Sequence, residues 1–184
     1  MNTIADRYRV VAGRFTETVA AVPIHAWDNP APCEGWVARD VVRHLVEWIP
    51  AFLRAGAAIE LPEGPAVDED PLGSWTAVSD AIQDLLDDPG TASRSFEHEQ
   101  AGTHQLDQAI GMFFLGDVLI HTWDLARATG LDERLDQVEV SGMLSGIQPY
   151  DDMLRSSGHY GPRVSVPDDA DDQTKLIAFV GRQP

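Results

Sequence analysis

Apolar residues near the N-terminus recur in steps of three and four, at Ile4, Tyr8, Val11, Phe15, Val19 and Val22. That spacing predicts an amphipathic helix from Thr3 to about Val22, with Thr3 and Asp6 as its capping pair. The stretch from His25 to Gly35 follows Pro23 and contains Pro30 and Pro32, and it reads as an ordered loop. A second helix is predicted from about Ala38 to Ala55, with Val37, Val41, His44, Trp48, Phe52 and Ala55 along its seam. Residues 57–71, rich in Pro, Gly and acid, read as a mobile surface loop. A third helix turns Leu72, Trp75, Val78, Ile82 and Leu85 inward and stops at Asp88-Pro89-Gly90. Residues 91–104 show no clear period.

The strongest helical pattern runs from about Leu106 to Thr129, with Gly130 placed to end it in a left-handed turn. A fifth spans about Glu133 to Ser156 and is expected to kink near Pro149. The tail from Gly158 to Pro167 reads as extended, and a short helix is expected around Thr174 to Val180. Five helical patterns with few strand signals predict an all-α bundle.

Composition narrows the function more than the fold. A chain of 184 residues suits one domain, 1–184, with a sizeable core. No uninterrupted apolar run approaches membrane-spanning length, and the charged N-terminus lacks the core of a signal peptide. Cys33 is the only cysteine, which excludes an internal disulfide and a multi-thiolate zinc site and fits a reducing, cytoplasmic compartment. Thirteen Lys and Arg against thirty Asp and Glu give a formal charge of -17. Such a surface repels phosphate backbones and anionic lipid, so neither nucleic acid nor membrane is an expected partner.

The chemistry lies where polar residues interrupt the apolar stripes. On the helix from Leu106, the seam reads Ile110, Phe114, Asp117, His121, Asp124, Ala128. At roughly 100° per residue, Asp117, His121 and Asp124 fall within about 60° of one another on a stripe that should face the core. Left unpaired there, each would cost several kcal/mol. His44 interrupts the second helix in the same way, between Val41 and Trp48. Asp117 and His121, one turn apart, aim two ligand-type groups at one spot, and His44 from a facing helix can complete a three-ligand set with an open position. A buried His–Asp network without any ion is the other reading of the same spacing. Asp124, one turn beyond His121, is placed either to fix that ring's tautomer or to pair with Arg39, Arg43 or Arg127. Asp40 stands likewise to His44, or interacts with the dipole at the start of its own helix.

Two stretches carry a resemblance: Pro32-Cys33-Glu34-Gly35-Trp36 through Asp40 and His44, and Asp117 through His121-Thr122-Trp123-Asp124-Leu125-Ala126. They resemble the metal-binding DinB-like superfamily, and more closely its actinobacterial branch related to the N-terminal domain of mycothiol-dependent maleylpyruvate isomerase. The ending, GPRVSVPDDADDQTKLIAFVGRQP, is similar to the closing segment of single-domain members. The resemblance implies a DinB-like four-helix bundle with an additional C-terminal helix and a short extended tail. It also implies a divalent metal, commonly zinc and sometimes nickel or iron, on His44, Asp117 and His121. Relatives often carry Glu or His where Asp117 stands, and Ser or Thr where Val37 stands. The two-domain isomerase has an extra C-terminal domain that this chain lacks, so maleylpyruvate isomerisation is not expected of it.

Three functions are compatible with these residues. The first is a transferase or isomerase using mycothiol or a similar small thiol, with the metal-bound thiolate attacking an electrophilic substrate. The second is a metal-dependent hydrolase with Asp124 or Glu47 as base. The third is a non-catalytic protein stapled by its ion. Relatives suggest a homodimer. His98 and His104, with Glu97 and Glu99, read as a solvated loop, and His25 and His159 as surface residues. Cys33, without an adjacent base or positive group in the sequence, reads as a small loop residue. Trp48 and Phe114 flank the ligand positions and can wall an apolar pocket, while Gly142 and Gly146 suggest close helix packing.

Overall fold

The computed structural model describes residues 3–156 and 160–184. His159 lies outside them, as does the start of the expected extended tail. Helix α1 spans Ile4–Ala21, and the Thr3 hydroxyl accepts from the Asp6 N–H while the Asp6 carboxylate accepts from the Thr3 N–H. This reciprocal cap satisfies two donors that a helix start otherwise leaves open. Helix α2 spans Ala38–Ala57 and has no side-chain oxygen at its cap, since Val37 stands there; the Asp40 carboxylate instead accepts from the Val37 N–H at 3.0 Å. Helix α3, Pro71–Asp87, begins on an Asp70 cap with Pro71 at its first position. Helix α5, Leu106–Thr129, ends at Gly130, whose φ of 72° is the left-handed turn that its sequence position requires.

These four helices form the bundle: α1 packs on α3 and α5, and α2 packs on the same two from the other side. Phe15, Trp75, Leu45, Ile49, Ile82, Ile110 and Phe114 fill the space between them. The fold is thus all-α and DinB-like. Helix α5 is buried nearly all round. By length and composition alone it is apolar enough to cross a membrane, yet 72% of that apolar window lies inside the bundle. Its hydrophobicity is that of a central core helix.

Several elements differ from the sequence expectation. The residues without clear period contain a four-residue turn of helix, α4 (Pro89–Ala92), and a hairpin of β1 (Ser95–His98) and β2 (Gly102–Gln105), paired antiparallel with Phe96 opposite His104. Four-residue strands are too short to show alternation. The long fifth helix is three pieces: α6 (Gln137–Ile147), a 3-10 turn holding Pro149, and α7 (Asp151–Ser156). Helix α6 begins at Gln137 on an Asp136 cap, later than the expected start near Glu133. Residues 58–70 are pinned by buried Ile59 and Val67, and Asp68 receives Arg43 at 2.7 Å, so this loop is anchored. Among the described residues, nothing lies within 4 Å of a Cβ placed at Gly142 or Gly146, so neither marks a close helix approach. The closing helix, α8, spans Asp172–Phe179 and packs on α6.

Candidate metal centre

The seam of α2 is rotated from the one expected. Val41, Val42, Leu45, Ile49 and Leu53 are the buried line, while His44, Trp48 and Phe52 are half-buried at its border and Ala55 is exposed. A stripe of alternating large and small apolar residues does not distinguish the centre of a buried face from its edge. His44 therefore sits where α2 meets α5 with solvent still in reach, not sealed within the bundle.

There the structure brings the three sequence-selected residues together. The ligand atoms of His44, Asp117 and His121 all lie within 4.8 Å of one another. His44 Nε2 is 3.3 Å from Asp117 Oδ2, and His121 Nε2 is 3.5 Å from Asp117 Oδ1. The Trp48 indole N–H donates to Asp117 Oδ2 at 2.9 Å and fixes the carboxylate plane. Trp36 stacks on the His121 ring at 5.8 Å and 18°, and stands 5.1 Å from the His44 ring. Side-chain exposure is 31% for His44 and 28% for Asp117, but 6% for His121. One donor is thus anchored in the core and two face outward.

Behind His121 lies a second layer of charge. His121 Nδ1 is 2.9 Å from Asp124 Oδ2, and Asp124 is fully buried. The guanidinium of Arg182, from beyond α8, donates to Asp124 Oδ1 at 3.2 Å and Oδ2 at 3.1 Å. The Asp124 partner is therefore Arg182; Arg39 and Arg43 pair with Asp68, and Arg127 with Glu133. The same guanidinium stands 3.1 Å from Cys33 Sγ, so Cys33 does have a positive neighbour, one that approaches from 149 residues away in sequence. Cys33 in turn donates to Asp124 Oδ2 at 3.4 Å.

Burial favours the neutral form of Asp124, but His121 and Arg182 outweigh it and hold the carboxyl below its ordinary value. An ionised Asp124 only accepts, so His121 Nδ1 carries a proton toward it and Nε2 is the atom facing Asp117. Burial would also lower His121, yet Asp117 and Asp124 on its two sides raise it to about 10. Asp117 is held low by His121, His44 and the Trp48 N–H against its own burial. Without an ion, then, a proton on His121 and the Arg182 guanidinium together supply the positive charge that the two carboxylates demand.

Two groups of donors among the described residues are close enough for a cation: His44, Asp117 and His121, and Cys33, His121 and Asp124. The second already holds a cation, since Arg182 reaches both Asp124 oxygens and the Cys33 sulfur. The first fits a divalent ion. It offers two imidazole nitrogens and a carboxylate oxygen, the ligand types that zinc and its neighbours accept, and leaves a side exposed.

The remaining sequence candidates lie apart from these donors. His98 and His104 are half-buried, not solvated: His98 Nδ1 accepts from the Gln100 and Ala101 N–H groups and His104 Nε2 bonds the Ala101 carbonyl, closing the hairpin. His25 is exposed. Phe114 is fully buried behind Trp48, at 5.3 Å, so Trp48 alone of that pair meets the donors. Sequence reasoning missed Arg182, Trp36 and Tyr160. Burial first, and then the charge of Asp117, raise the Tyr160 phenol above its ordinary value. Only the Gly-Arg-x-Pro ending pointed toward Arg182, and it gave no partner.

The comparisons with known proteins come to the same helices. An uncharacterized protein of Mycobacterium tuberculosis, present in strains CDC 1551 / Oshkosh and H37Rv, is 27% identical over 175 residues, covering 91% of this chain and 91% of its own length. No solved structure matches the chain significantly. The profile of the mycothiol maleylpyruvate isomerase N-terminal domain matches residues 8–126, which include Trp36, His44, Asp117, His121 and Asp124 but not Tyr160 or Arg182. On a match over that much of its length, this chain belongs to the mycothiol maleylpyruvate isomerase N-terminal domain family.

Proposed function

We propose that this protein binds one divalent metal ion through His44, Asp117 and His121 and uses it to activate a small thiol, mycothiol or one like it, for transfer or isomerisation of an electrophile. The observation that carries this reading is the convergence of three ligand atoms within 4.8 Å on two helices of the bundle. The family supports the choice of thiol. When bound, the ion lowers the pKa of a thiol or water at its open side and so supplies a nucleophile at neutral pH.

The chain's own residues do the positioning. Asp124 holds the proton on His121 Nδ1, which leaves Nε2 free to ligate. Arg182 neutralises Asp124, so that His121 gives up its second proton without leaving two uncompensated carboxylates. Trp48 occupies Asp117 Oδ2 and leaves Oδ1 as the less engaged oxygen. Cys33 is held by Arg182 and Asp124 behind His121, which fits a thiol that comes from outside the chain.

The exposed flank of the donors favours an open site over a closed staple, since structural zinc sites surround their ion fully. Hydrolysis is less well supported: Glu47 is exposed on α2, and Asp124 is committed to Arg182 and His121. Elemental analysis of the purified protein should find about one ion per chain, and His44→Ala and His121→Ala should lose it. Cobalt-loaded protein titrated with mycothiol should develop a sulfur-to-metal charge-transfer band. Equal metal content in wild type and variants would remove the site, and a metal-loaded protein whose spectrum ignores the thiol would remove the thiol.

A further inference from the structure

Resting on the reading of His44, Asp117 and His121 as ligands, we infer that the electrophile has an uncharged planar apolar group, seated against the Trp36 and Trp48 indoles beside the donors. Two aromatic walls stand beside the donors. Trp36 lies 5.1 Å from the His44 ring and stacks on His121; Trp48 lies 6.0 Å from His44 on a different neighbour set, against Phe52 and Phe114. The His44 ring thus lies near both indoles. Both are half-buried, beside His44 and Asp117, whose side chains are partly exposed. Phe52 and Phe113, 5.2 Å apart and also half-buried, continue the Trp48 wall away from the donors.

Charge points the same way. The cation joined to this site is Arg182, and both Asp124 oxygens and the Cys33 sulfur engage it behind His121. Arg43, one residue from His44, pairs with Asp40 and Asp68. Among the described residues, no arginine is left unpaired at the donors to receive a substrate carboxylate, and the chain carries a formal charge of -17. A dicarboxylate electrophile would meet repulsion and indole faces; an aryl or enone group would meet a surface that stacks with it.

The test compares hydroxamates, which bind a divalent ion through one shared head group and differ only in their tail. With zinc-loaded protein and calorimetry, benzohydroxamate should bind roughly three- to ten-fold tighter than acetohydroxamate, the factor that one aromatic contact supplies. 4-Carboxybenzohydroxamate should bind more weakly than benzohydroxamate. Trp36→Leu should abolish the phenyl-over-methyl ratio at unchanged zinc content, and Trp36→Phe should retain it. Equal affinities for phenyl and methyl, or a gain from the added carboxylate, would overturn the inference while leaving the metal site standing. If zinc binds but neither hydroxamate does, the open site and this inference fall together.

Discussion

Replacing Arg182 with Met tests whether the C-terminal segment is part of the site or only follows it. Asp124 has no solvent-accessible surface, and the Arg182 side chain is 18% exposed, so the pair is not screened as a surface bridge would be. Removing one partner of a buried pair costs about 3–5 kcal/mol, because the other charge stays behind without compensation. Here His121 and Cys33 still bond Asp124, which reduces the expected loss to about 2–4 kcal/mol. For a chain of this size that is a fall in Tm of roughly 4–16 °C.

Urea unfolding of chelator-treated protein at pH 7 should show the midpoint move down at constant slope. The pH dependence gives a second reading. Asp124 has a lowered folded pKa, so its contribution is present above the ordinary value of 3.8 and is lost as pH falls through the lower folded one. The Arg182→Met deficit should therefore be full near neutrality and shrink in acid, where a protonated Asp124 no longer needs a cation. A variant within about 0.5 kcal/mol of wild type at pH 7 would refute the argument, since that is the range of substitutions touching nothing.

Metal binding should release about one proton per ion at pH 8, because His121 is protonated up to about 10 in the metal-free protein; calorimetry in buffers of different ionisation enthalpy measures this, and no release would mean that His121 is already neutral. Trp48→Phe, which deletes the 2.9 Å bond to Asp117, should weaken metal affinity about ten-fold or more without changing stoichiometry, as measured by competition with a chromophoric chelator. Gly56→Ala would put a Cβ 2.1 Å from Phe96 Cε2, against a fully buried ring, and should cost about 1–3 kcal/mol by overpacking. Gly13→Ala, mid-helix with none of the described residues within 4 Å of the added carbon, should instead stabilise by about 0.5–1 kcal/mol, both read by urea denaturation.

How far the sequence disclosed this molecule depended on whether the controlling interactions are local. The extent of α5 was legible, since a long apolar repeat and a glycine at φ 72° act within a turn or two. Asp117 and His121 were legible for the same reason, being one turn apart on one helix. The face of α2 was not: whether His44 lies at the middle or the margin of the buried line depends on where α5 approaches, which periodicity does not encode. The hairpin at residues 95–105 escaped because each strand has four residues and its stabilising partners, Phe52 and Phe113, belong to other elements.

Arg182 shows the limit most clearly, and it changes what the site is. From spacing, Asp124 had three arginines to choose from, and the structure pairs it with a fourth, 58 residues away. Without that cation, Asp124 would stand fully buried with only His121 and Cys33 against its charge. With it, part of the charge behind His121 is balanced from the C-terminal segment, while His121 keeps its proton up to about 10. Two helices bring the candidate donors together, and the terminal segment braces the carboxylate behind one of them. The candidate donors and the residue that braces them are thus read from different parts of the chain, the first from helical period and the second only from the folded structure.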